Sequence, residues 1–144
     1  MDAVEAVEAL LAAALPVAEA MVKEDGRVRP FGATLGPHGV ELAAADERDD
    51  ARVLAGITAM FQEAARDDAC EAVGLFLEAV VRRDRGGPRR ALQAAIEHRD
   101  GSALDVFRPF EATGEGFAWG DPLRTPRNPS VFPAPPRTGP EVDP

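Results

Sequence analysis

RRALQAAIEH, residues 89 to 98, can be read in two ways. Its alanines suit a helix, while Leu92, Ala94 and Ile96 alternate as they would along a strand. The strand reading is preferred, because the flanking loops are short and Asp100-Gly101 is a strong hairpin signal. Upstream, residues 71 to 83 (EAVGLFLEAVVRR) are long enough for a central strand. Val73, Leu75, Leu77, Ala79 and Val81 share one face, and Gly74, Phe76, Glu78 and Val80 the other. Asp84 to Pro88, with Gly86-Gly87 inside, is the turn between these two strands. Downstream, residues 102 to 110 (SALDVFRPF) continue as a strand, with Leu104, Val106 and Arg108 on one side. GFAWG, residues 116 to 120, ends the sheet.

Towards the N-terminus, RVRPFGATLGPHGVELAAAD (residues 27 to 46) reads as a hairpin with strands over 28 to 35 and 40 to 45. Gly36-Pro37-His38-Gly39 supplies its turn. Two amphipathic helices flank it. In residues 2 to 24, Val4, Val7, Leu11, Ala14, Leu15, Ala18, Met21 and Val22 form one stripe. Asp2 is placed to cap that helix, with Glu5 three residues on. Gly26 stops it, and Pro16 predicts a kink or break near residues 12 to 16. In residues 47 to 67, Val53, Leu54, Ile57, Met60, Phe61, Ala64 and Ala65 recur at helical spacing. Asp46 is the expected N-cap there. Asp67-Asp68 place acid at the helix end where the dipole disfavours it.

From Asp121 the composition changes, since eight of the 13 prolines fall in residues 121 to 144. The sequence therefore predicts one α+β domain over 1–120 and a Pro-rich tail over 121–144, extended or disordered, with Val131 and Phe132 as its anchors. The expected fold is a two-layer sandwich of order α-β-β-α-β-β-β, an antiparallel sheet with both helices on one face. Phe76, Val80 and Phe107 on the other face ask for cover, which makes a homodimer an expectation.

The net charge is -9 and the isoelectric point about 4.7. Residues 1 to 71 hold 15 acidic and 6 basic side chains, whereas residues 72 to 144 hold 10 of each. Such a balance argues against general nucleic-acid binding and against docking on anionic membrane. It suits a basic protein partner, with Asp46, Glu47, Asp49, Asp50, Asp67, Asp68 and Glu71 as the candidate contact residues. Arg82, Arg83, Arg85, Arg89 and Arg90 cluster around one turn and form a candidate anion patch. No run of 18 uncharged apolar residues and no signal-peptide pattern is present, so the expected location is cytoplasmic.

The quoted hairpin resembles the opening of the zinc-dependent nucleoside and tRNA deaminases. That chemistry needs His or Cys ligands, a P-C-x-x-C pair and a shuttling glutamate. Cys70 is the only cysteine, and His38 and His98 both fall at turns, so the resemblance stops at the hairpin. Ser102 and Ser130 stand in no nucleophile elbow, and no phosphate-binding glycine motif occurs. Cys70 reads as a buried packing residue, and Glu78, Glu97 and Asp100 as exposed charges. No metal, cofactor or catalytic centre is therefore expected.

GRVRPFGATLGPHGVEL, AIEHRDGSALDVFRPF and GFAWG together resemble a group of small bacterial α+β proteins without an assigned activity, over roughly residues 1 to 120. The resemblance implies packing and turn roles for Pro30, Phe31, Gly32, Glu97, His98 and Gly101. Size, charge and fold class also resemble the immunity proteins of bacterial toxin systems, which implies binding of a basic partner without catalysis. The alternatives are a dimer similar to type III secretion chaperones, or a small-ligand domain or enzyme with a pocket between helices and sheet.

Overall fold

The computed structural model describes residues 1–44, 49–82 and 86–132. The chain runs α1 (Ala3–Asp25), β1 (Phe31–Gly36), β2 (Gly39–Ala43), α2 (Asp50–Arg66), β3 (Ala72–Arg82), β4 (Pro88–His98), β5 (Ala103–Thr113), β6 (Gly116–Trp119) and β7 (Leu123–Pro126). The class is α+β, and the first seven elements follow the order expected. All pairings are antiparallel, in the order β2-β1-β3-β4-β5-β6. β6 and β7 share the outer edge of β5, with β6 on Phe110–Thr113 and β7 on Leu104–Phe107.

The ambiguous segment is a strand. β4 pairs along its whole length with β3 and over Ala91–Glu97 with β5. Leu92, Ala94 and Ile96 point to one face and are fully buried. Alanine's helix preference is a weak prior, and pairing on both edges overrides it.

The helices lie on opposite faces of the sheet, which corrects the expectation of a shared face and turns two layers into three. α1 packs through Ala6, Val7, Leu10, Leu11, Ala14, Ala18 and Val22 on Phe31, Ala33, Leu35, Phe76 and the alternate residues of β4 and β5. α2 packs through Val53, Ile57 and Phe61 on Val73 and Leu75, the opposite set in β3. Gly32 makes the second packing possible, because a Cβ there would sit 2.8 Å from Ile57 Cγ2 and Phe61 Cζ. Phe76, assigned from sequence to a face needing external cover, stacks on Phe31 at 5.0 Å between ring centroids, beneath α1.

The helix ends explain themselves locally. Asp2 accepts from Glu5 N–H at 2.8 Å, and Gly26, with φ 75°, donates back to Val22 O. α1 runs through Pro16 without a break. Pro16 and Ala12, whose carbonyl loses its donor, both lie on the exposed side of α1, where water can serve that carbonyl. α2 is capped by Asp49, which accepts from Ala51 N–H at 3.0 Å. The expected cap, Asp46, lies outside the described residues. At the other end Asp68 takes φ 57°. Ala69 N–H bonds Ala64 O and Asp68 N–H bonds Ala65 O, the paired bonds of a Schellman stop. Asp68 also pairs with Arg99, so the acid at the unfavourable helix end has a cation beside it.

The packed body extends beyond residue 120. Leu123–Pro126 adds to the sheet as β7, and Phe132 is buried under α2 with Cys70 and Val73. Residues 133–144 of the predicted tail lie outside the described residues.

Candidate ligand pocket under the first helix

The acids chosen from sequence fall into two groups. Asp49 and Asp50 begin α2 and Asp67 and Asp68 end it, about 25 Å apart at 1.5 Å per residue. Asp50 pairs with Arg27 at 3.2 Å, Asp68 with Arg99, and Glu71 with the N-terminal amine at 3.3 Å. Asp46 and Glu47 lie outside the described residues, as do Arg83 and Arg85 of the anion patch. Arg82 is exposed at the end of β3. Arg89 pairs with Glu111 at 3.3 Å. Arg90 donates to both oxygens of Glu78 (3.0 and 3.1 Å) and to Gly26 O, with its guanidinium 4.8 Å from the Phe110 ring centroid. Glu78 also accepts from Val28 N–H at 3.0 Å, so this group fastens the end of α1 to β3 and β4.

Glu97 and His98 are buried, against the expectation of solvated charges. Glu97 accepts from Ser130 N–H, Ser130 Oγ–H and Val131 N–H, each at 2.8 Å, and from Phe132 N–H at 3.3 Å. It is a clamp on the chain that follows β7. His98 Nδ1 accepts from Asp100 N–H at 3.1 Å, and Nε2 lies 3.1 Å from Met1 O. Both ring nitrogens are thus engaged in backbone contacts. The neighbouring Cys70 is buried, and burial pushes its thiol pKa up, which keeps it a poor nucleophile. Glu78, on the α1 face, and Glu97, on the α2 face, cannot meet in one site. Among the described residues no three His, Cys, Asp or Glu side chains group as metal ligands.

Among the described residues, a cavity of about 340 Å³ lies between Arg27, Pro30, Asp50, Leu54 and Glu78, whose charges are paired as described above, and larger hollows open at two other places. One, about 470 Å³, opens at the β1–β2 turn between Met1, Pro37, Asp68, Glu71 and Arg99. Its charges pair with each other, as described above. The other, about 440 Å³, lies between α1 and the β4–β5–β7 part of the sheet. Leu11, Ala12 and Leu15 form its helix wall, and Leu92, Ala94 and Val106 its floor. The floor follows from register: Leu92 faces Arg108 and Ala94 faces Val106 across β4 and β5, while β7 sets Arg124 beside Val106.

A few polar groups set in a mostly apolar hollow are the usual form of a small-ligand site. Glu8, Arg108 and Arg124 supply them here. Arg124 is joined to Glu8 at 2.7 Å. Arg108 is less well served. Its guanidinium stands 5.3 Å from the Trp119 ring centroid, and its nearest carboxylate, Glu19, is 3.6 Å from Nη1, too far for a good hydrogen bond. Its Nε is buried and has no acceptor among the described residues. A donor left so costs about 1–3 kcal/mol, and native proteins hold few of them.

Sequence alternation along Leu104-Val106-Arg108 carries the signal that Arg108 belongs to an apolar face. Arg124, inside a Pro-rich run, has no such signal. No protein-family model, no curated protein and no solved structure matches this chain.

Proposed function

We propose that the chain is a binding domain for a small, largely apolar molecule held between α1 and the sheet. The observation that carries this is the cavity of about 440 Å³, with an aliphatic floor and helix wall and three charged side chains, Glu8, Arg108 and Arg124, in its lining. Its volume lies in the range of small-ligand sites, about 300–1,000 Å³. Its lining contains no serine, cysteine or histidine, which favours binding over catalysis as the role of this site. The test uses Nile red, a neutral apolar dye, titrated into the wild-type chain and into Ala12→Phe. Ala12 is an exposed helix position on the pocket wall, so a phenyl group there fills the hollow without entering the core. Saturable one-to-one binding that Ala12→Phe removes is the expected result; equal binding by both proteins would refute the pocket.

A basic protein partner is the second reading. It rests on the excess of 9 acidic over basic side chains in residues 1 to 71. Because the described acids sit at both ends of α2, such a partner has to span that helix. Charge reversal at Asp49 and Asp67 together should then weaken capture of the partner more than either change alone. Unchanged capture by the double variant would end that reading.

A further inference from the structure

We infer that the ligand of this pocket is an amphipathic carboxylate, an acid with an aliphatic chain whose head group is received by Arg108. The inference rests on the small-molecule reading above and adds the ligand's chemical class. Three features support it. The floor and helix wall, formed by Leu11, Leu15, Leu92, Ala94 and Val106, match an aliphatic body. Arg108 lines the cavity, and its carboxylate neighbour stands 3.6 Å from Nη1, so its terminal N–H donors are not taken up by a good hydrogen bond. A planar guanidinium with open donors is the side chain best fitted to a carboxylate. Trp119 holds the guanidinium through a cation–π contact at 5.3 Å, so Arg108 has a packed position before a ligand arrives.

The other rim cation, Arg124, is already joined to Glu8, which leaves Arg108 to receive the acid. Glu8 and Glu19 beside these arginines disfavour multiply charged anions, so a single carboxylate suits the rim better than a phosphate ester.

The experiment is calorimetric titration of the full chain with decanoate, decanol and decylammonium, which share an aliphatic length and differ in head group. Decanoate should bind at least tenfold more tightly than decanol. Arg108→Met should abolish that preference while decanol affinity is retained, and Ala12→Phe should remove binding of both with the unfolding midpoint preserved. Equal affinity for decanoate and decanol, or a preference for decylammonium, would overturn the carboxylate inference and leave the pocket standing. Binding of none of the three would overturn both. Undiminished decanoate binding by Ala12→Phe would place the ligand elsewhere and also overturn both.

Discussion

Glu97 shows how much a single carboxylate can organise. Three backbone N–H groups and a hydroxyl converge on it, a small anion nest supplied by chain 33 to 35 residues downstream. Glu97→Ala removes the acceptor of all four donors and leaves the N–H groups of half-buried Val131 and buried Phe132 without a partner. The expected loss is about 3 kcal/mol in urea unfolding, together with faster proteolysis after Arg127. A change within about 0.5 kcal/mol, as for an ordinary surface glutamate, would refute the clamp. Sequence could not reveal it, because neither the charge of Glu97 nor a Pro-rich segment advertises the other. Only the apolar pair Val131-Phe132 hinted that the segment docks.

Asp100 carries a pH signature on the same scale. The Ser102 hydroxyl and then the Ser102 N–H, the latter at 2.7 Å, hold its carboxyl below the usual value of 3.8. The folded state therefore binds this proton less tightly than the unfolded chain. Its stabilising contribution is complete above the unfolded value and is lost as pH falls through the lower folded value. Unfolding midpoints followed into acid should show this slope in the wild type and a shallower one in Asp100→Asn. Identical profiles would remove Asp100 from the account.

At the scale of elements, β1 is a strand that two helices press from both sides. Phe31, Ala33 and Leu35 meet α1, while Gly32 meets α2. Gly32→Ala forces a methyl group against Ile57 and Phe61 and should cost about 2 kcal/mol, since a packed interface gives way only with strain. An unfolding midpoint equal to wild type would show that α2 can shift outward freely. The three-layer arrangement was half legible. Residues 73 to 77 are apolar on both faces, a pattern that calls for cover on both sides of the sheet. Helix periodicity shows that a helix has an apolar stripe but not which face of the sheet receives it. The strand assignment of residues 89 to 98 was legible because alternation and a following Asp-Gly turn agreed. The Asp68 helix stop was not, because its Schellman bonds and its Arg99 partner depend on tertiary placement.

At the scale of the whole molecule, the body ends near Phe132, so truncation after Gly120 removes β7, Phe132 and every donor to Glu97. Burial of one phenylalanine alone contributes about 1.5–3 kcal/mol, so the truncated chain should lose at least about 3 kcal/mol in chemical denaturation. Retention of full stability would mean that residues 121–132 only lean on the domain. The pocket is also a property of this scale: its wall comes from α1, its floor from β4 and β5, and part of its rim from β7. No window of sequence holds all three, and only the alternation that sets Arg108 on an apolar face was visible beforehand. The placement of α1 has a further consequence for biosynthesis. Its apolar stripe shares one core with residues as late as Val106 and Phe110 of β5. β1 to β3 cover part of the stripe soon after the helix is made, but about 80 residues separate the end of α1 from Val106, so at roughly 5–20 residues per second the cover is completed only on the order of 4–16 seconds later. A nascent chain of this protein therefore carries a half-built core under its first helix until the fifth strand emerges.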